Sequence, residues 1–366
     1  MSSLRKTAWT ILSIFGLFMA MIFLKSCAIQ PNTWEPPQKP AFENSLALNQ
    51  ALTESSAISL LGWYGAEDFA VDKQGNVYCG VHAKPNDFSQ GAILKVTPTG
   101  DVEEYMQTEG WVTGMEFDRE GNLIALQNGV GLIKIDQQKQ IHQLATHTPE
   151  GAPILMGTGL QIAADGTIYF ANMSSEDVSS ARTFSKLILE MKPKGGVYAY
   201  RPAEKRLTTI SEGHYFANGL ALSADESFLL LSETTKYRVL KIWLSGSEQG
   251  QSEVFMDNLA GFPNNISRRA NGNFWIGFTT KRNDQLDKIH SKRGMKRFVF
   301  GLPRFVQPKA EKFGMVLEVS EKGQIIDALF DPEGEVVSEA GAVEEIADYL
   351  YLGGDVVSYV SKYPLK

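Results

Sequence analysis

Two cysteines in 366 residues are too few for a disulfide framework. Cys27 follows an apolar run and Cys79 sits in a predicted inner strand, so the two are not expected to pair. No Cys and His residues stand at zinc-ligand spacing. The chain also lacks a Ser-His-Asp arrangement, a P-loop and a nucleotide-binding motif, which excludes the commonest serine-hydrolase and NTP-dependent chemistries. Its five histidines, His82, His142, His147, His214 and His290, carry no motif that marks a catalytic pair; His82 and His214 alone lie where they could approach a site. A chain so short of covalent and metal staples has to hold itself by packing.

What the sequence has in abundance is one repeated pattern. An apolar strand, a turn and a second strand recur in EDFAVDKQGNVYCG from Glu67, TGMEFDREGNLIAL from Thr113, GLQIAADGTIYFAN from Gly159, GLALSADESFLLLSE from Gly219, NISRRANGNFWIGF from Asn265 and AVEEIADYLYLGG from Ala342. Each is followed by a second hairpin pattern, as in ILKVTPTGDVEEY from Ile93, and the last copy is cut short at VVSYVSKYPLK. Alternating strands broken by Asp-Gly, Asn-Gly or Gly-Asn make antiparallel hairpins rather than βαβ crossovers. The landmark turn residues Gly75, Gly121, Gly166, Glu226 and Gly272 are 46, 45, 60 and 46 positions apart. Units of about 45 residues with four strands each predict propeller blades. The expected fold is therefore an all-β, six-bladed propeller of four-stranded antiparallel blades.

Three segments follow. Residues 1–28 form a signal anchor, 29–56 a Pro-rich spacer and lead-in, and 57–366 the propeller. Residues 7–24 carry no charge, and eighteen residues at 1.5 Å per residue reach about 27 Å, close to the hydrocarbon thickness of a bilayer. Arg5 and Lys6 before this run favour a cytoplasmic N-terminus, giving a single-pass membrane protein with its propeller on the periplasmic or extracellular side. The apolar core is longer than that of a cleaved signal peptide, so an uncleaved anchor is expected. Leu24-Lys25-Ser26-Cys27 loosely resembles a lipoprotein signal in which Cys27 would be acylated.

The net charge of −7 hides an asymmetry: ten Lys or Arg against three Asp or Glu lie between Lys281 and Lys312. Within it, MKRFVFGLPRFV mixes Phe298, Phe300, Leu302 and Phe305 with Lys296, Arg297 and Arg304. The 281–312 stretch reads as a lid whose aromatics pack on the blades or as a surface for anionic lipid; no nucleic-acid partner is expected of a chain tethered outside the cytoplasm.

Two insertions, 173–196 and 279–314, fall between the second and third strands of blades three and five. That loop shares a face with the start of each inner strand, so both should overhang the channel mouth. Beneath them converge Glu67, Val112 or Thr113, Thr158, Asn218, the pair Asn264 and Asn265, and a last set near Glu339 and Gly341. One carboxylate with several amides is an oxygen-rich nest suited to a hard cation such as calcium, at modest affinity.

Residues 216–266, FANGLALSADESFLLLSETTKYRVLKIWLSGSEQGQSEVFMDNLAGFPNNI, resemble the strictosidine synthase-like family, with its F-A-N-G-[VL]-A-L-S, Glu-Thr, R-[IV]-x-[RK]-x-W-L and G-[FY]-P-[DN]-N-I elements in order. Weaker similarity runs from about Glu67 to the C-terminus. The wider superfamily holds paraoxonases and gluconolactonases, calcium-dependent hydrolases of esters and lactones. The resemblance implies metal ligands at Glu67, Asn218, Asn264 and Asn265, with Glu67 as the metal-linked catalytic residue. Two departures, Thr158 for an expected Asn and Asn264 for an expected Asp, lower the strength of that set. Glu233, Arg238 and Trp243 belong to the family block but are expected to serve as a blade-edge ion pair and a packing indole.

The expected function is a membrane-anchored, calcium-dependent arylesterase or lactonase acting on small esters or lactones. The alternative is a non-catalytic propeller that binds a protein, glycan or lipid. An amine-aldehyde condensation of the strictosidine synthase type is the remaining reading; Glu339, Glu344 and Glu345 lie in the right region, and none is singled out as its acid.

Overall fold

Five of the six blades begin with a hairpin whose turn is built by one side chain. Asp72 Oδ1 accepts from the amides of Gln74 and Asn76, both at 2.9 Å, and Asp118, Asp165, Asp225 and Asn271 cap the equivalent turns. A positive φ follows in every one, at Gly75, Gly121, Gly166, Glu226 and Gly272. Glycine reaches that region without a Cβ penalty, and Glu226 occupies it at φ 57°.

The computed structural model of the chain describes residues 2–85, 87–176 and 180–365. It contains six four-stranded antiparallel sheets, each ordered from the axis outward. The inner strands are Phe69–Val71, Val112–Phe117, Met156–Ile162, Ala217–Leu222, Gly261–Arg268 and Ala342–Ile346. The truncated sixth repeat obtains its fourth strand from the other end of the chain: Ser56–Ser59 pairs with Tyr359–Pro364, Ser56 opposite Lys362. This closes the ring and leaves no seam edge.

The core is a set of layers between neighbouring blades. One unites Ala70, Tyr78 and Ile93 of the first blade with Val112, Met115 and Ile133 of the second. Polar pins cross the same seams near the axis. Asp68 Oδ2 accepts from Met115 N at 2.8 Å, Glu116 Oε2 from Ile162 N at 2.8 Å, and Gln161 Oε1 from Leu222 N at 3.3 Å.

Helix α1, Ser2–Ser26, contains an 18-residue stretch, Trp9–Ser26, of mean hydropathy 1.7. By length and composition it could cross a membrane. The two insertions fold as α2 (Ala181–Glu190), α3 (Asp284–His290) and α4 (Arg293–Gly301). The end of α1 packs on α4, where Gly301 lets the Ile22 carbonyl and Ser26 hydroxyl approach its Cα. Residues 29–52 run on as a strap against the propeller. Ile29 is buried with Leu189 and Phe300, Trp34 lies 5.6 Å from Tyr237, Phe42 lies 5.4 Å from Phe313, and Leu52 is buried.

Candidate functional site

The heads of the inner strands break register at the same place in four blades. The ladder steps from Val112 to Gly114, from Thr158 to Leu160, from Ala217 to Leu220 and from Pro263 to Ile266. A bulge re-aims the residue it skips, and the skipped residues are Thr113, Gly159, Asn218 with Gly219, and Asn264 with Asn265. At Gly219 a Cβ would overlap the Asn264 carbonyl oxygen, so glycine is what allows blades four and five to touch here.

Blades two and three use this position as a strut. Thr113 Oγ1 donates to Gly157 O at 2.6 Å, and Thr158 Oγ1 lies 3.2 Å from Ala217 O and 3.3 Å from Asn218 O. Thr158 thus holds a neighbouring backbone where the resemblance would place an amide ligand.

The other blades present oxygens. The amide nitrogens are all engaged: Asn218 Nδ2 donates to Thr234 Oγ1 at 3.3 Å, Asn264 Nδ2 to Thr279 Oγ1 at 3.2 Å, and Asn265 Nδ2 to the Glu67 carbonyl. Each bond turns the opposite atom of the amide away from its donor's partner. As a result Asn218 Oδ1, Asn264 Oδ1 and Asn265 Oδ1 are buried without a hydrogen-bond partner, together with Glu67 Oε2 and Glu339 Oε1. These are five of the twelve such atoms among the described residues, so the shortage of donors is concentrated at this end of the axis. All four ligands expected from the sequence are in this group.

Glu339 joins Glu67 here through Asp355, a residue the sequence reading missed. Burial pushes the Glu67 carboxyl well above its usual range, and Asp355 raises it further by charge and by a side-chain hydrogen bond. Glu339 is raised by burial and by Asp355, against which backbone amides of Asp355 and Val356 act. A hydrogen bond between two carboxyls needs a proton on one of them. The Gly353-Gly354 pair before Asp355 was the available signal, since a Cβ at Gly354 would run into the Glu339 carboxylate.

Hard cations take oxygen ligands in flexible number, and one buried carboxylate with three unpartnered amide oxygens fits that chemistry. Among the described residues no three His, Cys, Asp or Glu side chains are arranged to hold a metal, so a cation here depends on the amides.

Of the histidines His82 alone reaches the site, its ring 4.9 Å from those of Phe88 and Trp111. His82 is buried with Nδ1 2.9 Å from Lys84 O and Nε2 2.7 Å from Asp355 O, and burial lowers its pKa. His214 bonds Ser211 and lies 3.4 Å from Glu233. His142 and His147 are peripheral, paired with Asp136 and Thr146. Glu233 binds Arg238, and the Trp243 indole packs 5.7 Å from Phe228, as expected. Glu345 is taken by Arg269 and by Trp275 Nε1.

Above the ring the mouth is closed. Phe88, Trp111, Met156, Met173 and Phe216 form an apolar floor, on which α2 lays Phe184, Leu187 and Ile188. The polar ties of α2 include the ion pair of Lys186 with Glu176, Arg182 over the Phe300 ring at 4.4 Å, and Glu190, which is bonded by Gln30 N, Asn32 N and Lys192. Below the ring a cavity of about 300 Å³ runs along the axis past Asn265, Asp68, Glu116 and Glu344. Burial raises Asp68 to about 7 and Glu116 to about 8.

Lys296 departs from its sequence reading as part of a basic surface. It is fully buried, and its Nζ donates to Asn32 O at 2.8 Å, because the strap crosses α4 there. The rest of the basic stretch stays at the surface: Lys292, Arg293, Arg297 and Arg304 are exposed, beside the apolar Met295, Phe298, Phe305 and Val306.

With the geometry in place, comparisons with known proteins are informative. The family profile described as strictosidine synthase matches residues 158–247, and that described as strictosidine synthase-like, N-terminal, matches 45–83. The chain is 30% identical over 345 residues to the protein strictosidine synthase-like 3 of Arabidopsis thaliana, covering 86% of each. It is 31% identical over 271 residues to the adipocyte plasma membrane-associated protein of Mus musculus, covering 71% of this chain and 64% of the relative. Among solved structures, a gluconolactonase from Xanthomonas campestris superposes with a TM-score of 0.60 at 17% identity, covering 92% of this chain and 97% of that one. The calcium-binding protein regucalcin from Agrobacterium tumefaciens gives 0.56 at 11% identity, with 85% and 94% covered. At such identities the two structures speak to the fold.

Proposed function

The chain belongs to the strictosidine synthase-like family, and from that premise we propose that it is a calcium-dependent hydrolase of small esters or lactones, carried on a membrane by α1 with its propeller on the non-cytoplasmic side. The observation that carries the reading is the group of unpartnered oxygens on Glu67, Asn218, Asn264 and Asn265. Glu67, Asn218, Asn264 and Asn265 would hold the cation, which when bound would polarise the substrate carbonyl and stabilise the oxyanion.

The protein's own residues do the rest. Thr234, Thr279 and the Glu67 carbonyl fix the amide orientations, so that the oxygens need no reorganisation. The Glu67 carboxyl, raised by burial and by Asp355, has to give up its proton before it can serve as a charged ligand. Helix α2 and the floor of Phe88, Trp111 and Phe216 keep water from the mouth and offer an apolar surface to an acyl or aryl group.

The test is hydrolysis of an aryl-ester and lactone panel by the full chain in detergent, with calcium and then with chelator. Activity should vanish on chelation, return with calcium, and fall by about 10²-fold or more in Glu67→Gln, the scale of losing a transition-state contact. A Glu67→Gln variant as fast as the parent removes Glu67 from the mechanism. A folded protein that is inert and indifferent to calcium leaves the binding-scaffold reading in its place.

A further inference from the structure

A second cleft, of about 220 Å³, opens between the strap, the lid and blade four. Asn32, Thr33 and Trp34 of the strap form one wall, Met191 and Arg293 of the lid another, and Tyr215 and Lys236 of the blade the third. It shares no residue with the axial ring.

Its charge is unbalanced. Lys236 Nζ sits 4.5 Å from the centroids of both the Trp34 and Tyr215 rings, an arrangement that places the ammonium without neutralising it. Neighbouring acids are already engaged. Glu233 holds Arg238, with His214 close by, Asp287 holds Arg282, and Glu190 is bonded through Oε1 by Gln30 N and Lys192, its Oε2 buried without a partner; Glu233 and Asp257 act on Lys236 by charge without pairing with it. Arg293, exposed at the start of α4, forms no ion pair among the described residues. Burial and the nearby Arg238 hold the Lys236 pKa below its usual value, and Lys236 in turn lowers those of Lys296 and His290. A small polar cleft with two cations at its rim that form no ion pair among the described residues favours an anion with several acceptor oxygens.

We propose that this cleft is a phosphate site, in which Lys236 and Arg293 grip the oxyanions of a phosphate ester from opposite walls. The phosphate could come from solution or from a lipid head group. Ser26 ends α1 and Asn32 begins the cleft, and six residues span about 20 Å at most, so an inserted α1 holds the cleft near head-group height.

Two measurements on the full chain in non-ionic detergent separate these sources. The first is equilibrium binding of radiolabelled inorganic phosphate. The second is the ratio of phosphatidic acid to phosphatidylcholine that stays with the protein purified from mixed micelles. Saturable phosphate binding without lipid preference assigns the cleft to a soluble phosphate, and retention of phosphatidic acid assigns it to a head group. In either case Arg293→Gln, an exposed position whose loss should leave the fold intact, is expected to weaken binding about tenfold, the effect of removing one charge-assisted contact. Lys236→Arg should bind more tightly than Lys236→Gln. Absence of saturable binding in both measurements, or binding unchanged in Arg293→Gln and Lys236→Gln alike, overturns the site.

Discussion

A buried oxygen with no hydrogen-bond donor costs about 1–3 kcal/mol, and five stand together on Glu67, Asn218, Asn264, Asn265 and Glu339. A fold retains such a cost most readily where a ligand relieves it. His290 is a contrasting case. It is buried with neither ring nitrogen bonded, and burial, reinforced by Lys296, Arg282 and Lys236, lowers its pKa to about 3. Protonation is therefore favoured in the unfolded chain. The sign follows: the neutral ring's contribution is complete above the unfolded value of about 6.5 and is lost as pH falls towards about 3. His290→Phe should raise the midpoint of thermal unfolding, and by more at about pH 5 than at about pH 7; the difference between variant and parent isolates the imidazole, because the raised carboxyls of Asp68 and Glu116 act in the opposite sense in both proteins. A rise equal at the two pH values would show that His290 does not titrate in this way.

At the scale of elements, α2 covers the mouth of the channel with three apolar side chains, and its polar ties to the strap lie at its last residue, Glu190. Elements with little buried contact open at low free energy. Phe184 packs 5.3 Å from Phe88 and 6.0 Å from Phe216, so Phe184→Ala should loosen the helix by about 2–4 kcal/mol, the range for a partly buried aromatic. Hydrogen exchange of the α2 amides should accelerate while those of the inner strands stay as they were. Uniform acceleration across the blades would mean that α2 is part of the cooperative core and not a separate cover. The placement of both insertions over one face was legible in the sequence, because their position between second and third strands dictates the face. That α2 closes the mouth was not, since the apolar floor comes from four different blades.

For the whole molecule, closure is the main stabilising device available to a chain with two free cysteines. The sixth blade depends on Ser56–Ser59, nearly 300 residues from its partner Tyr359–Pro364. Such a contact has a high loop-closure cost and gains its stability only when the ring is complete. Removal of residues 1–59 should lower the unfolding midpoint by more than 10 °C, on the scale of a few kcal/mol, and expose the edge of Tyr359–Pro364 to self-association. A deletion variant that stays monomeric and unfolds at the parent's midpoint would show that five and three-quarter blades suffice.

The sequence by itself determined the repeat, hence the six blades, the face on which a site would lie, and the convergence of Glu67, Asn218, Asn264 and Asn265 at the heads of the inner strands. Hairpin turns and strand alternation are local, so they can be read along the chain. Tertiary structure alone decided which oxygens lack donors, that Asp355 joins Glu67, that Lys296 is buried under the strap, and that Lys236 and Arg293 line one cleft. Each of these depends on groups brought together from distant blades and insertions, and burial, which sets both hydrogen-bond supply and charge, is a property of the closed ring.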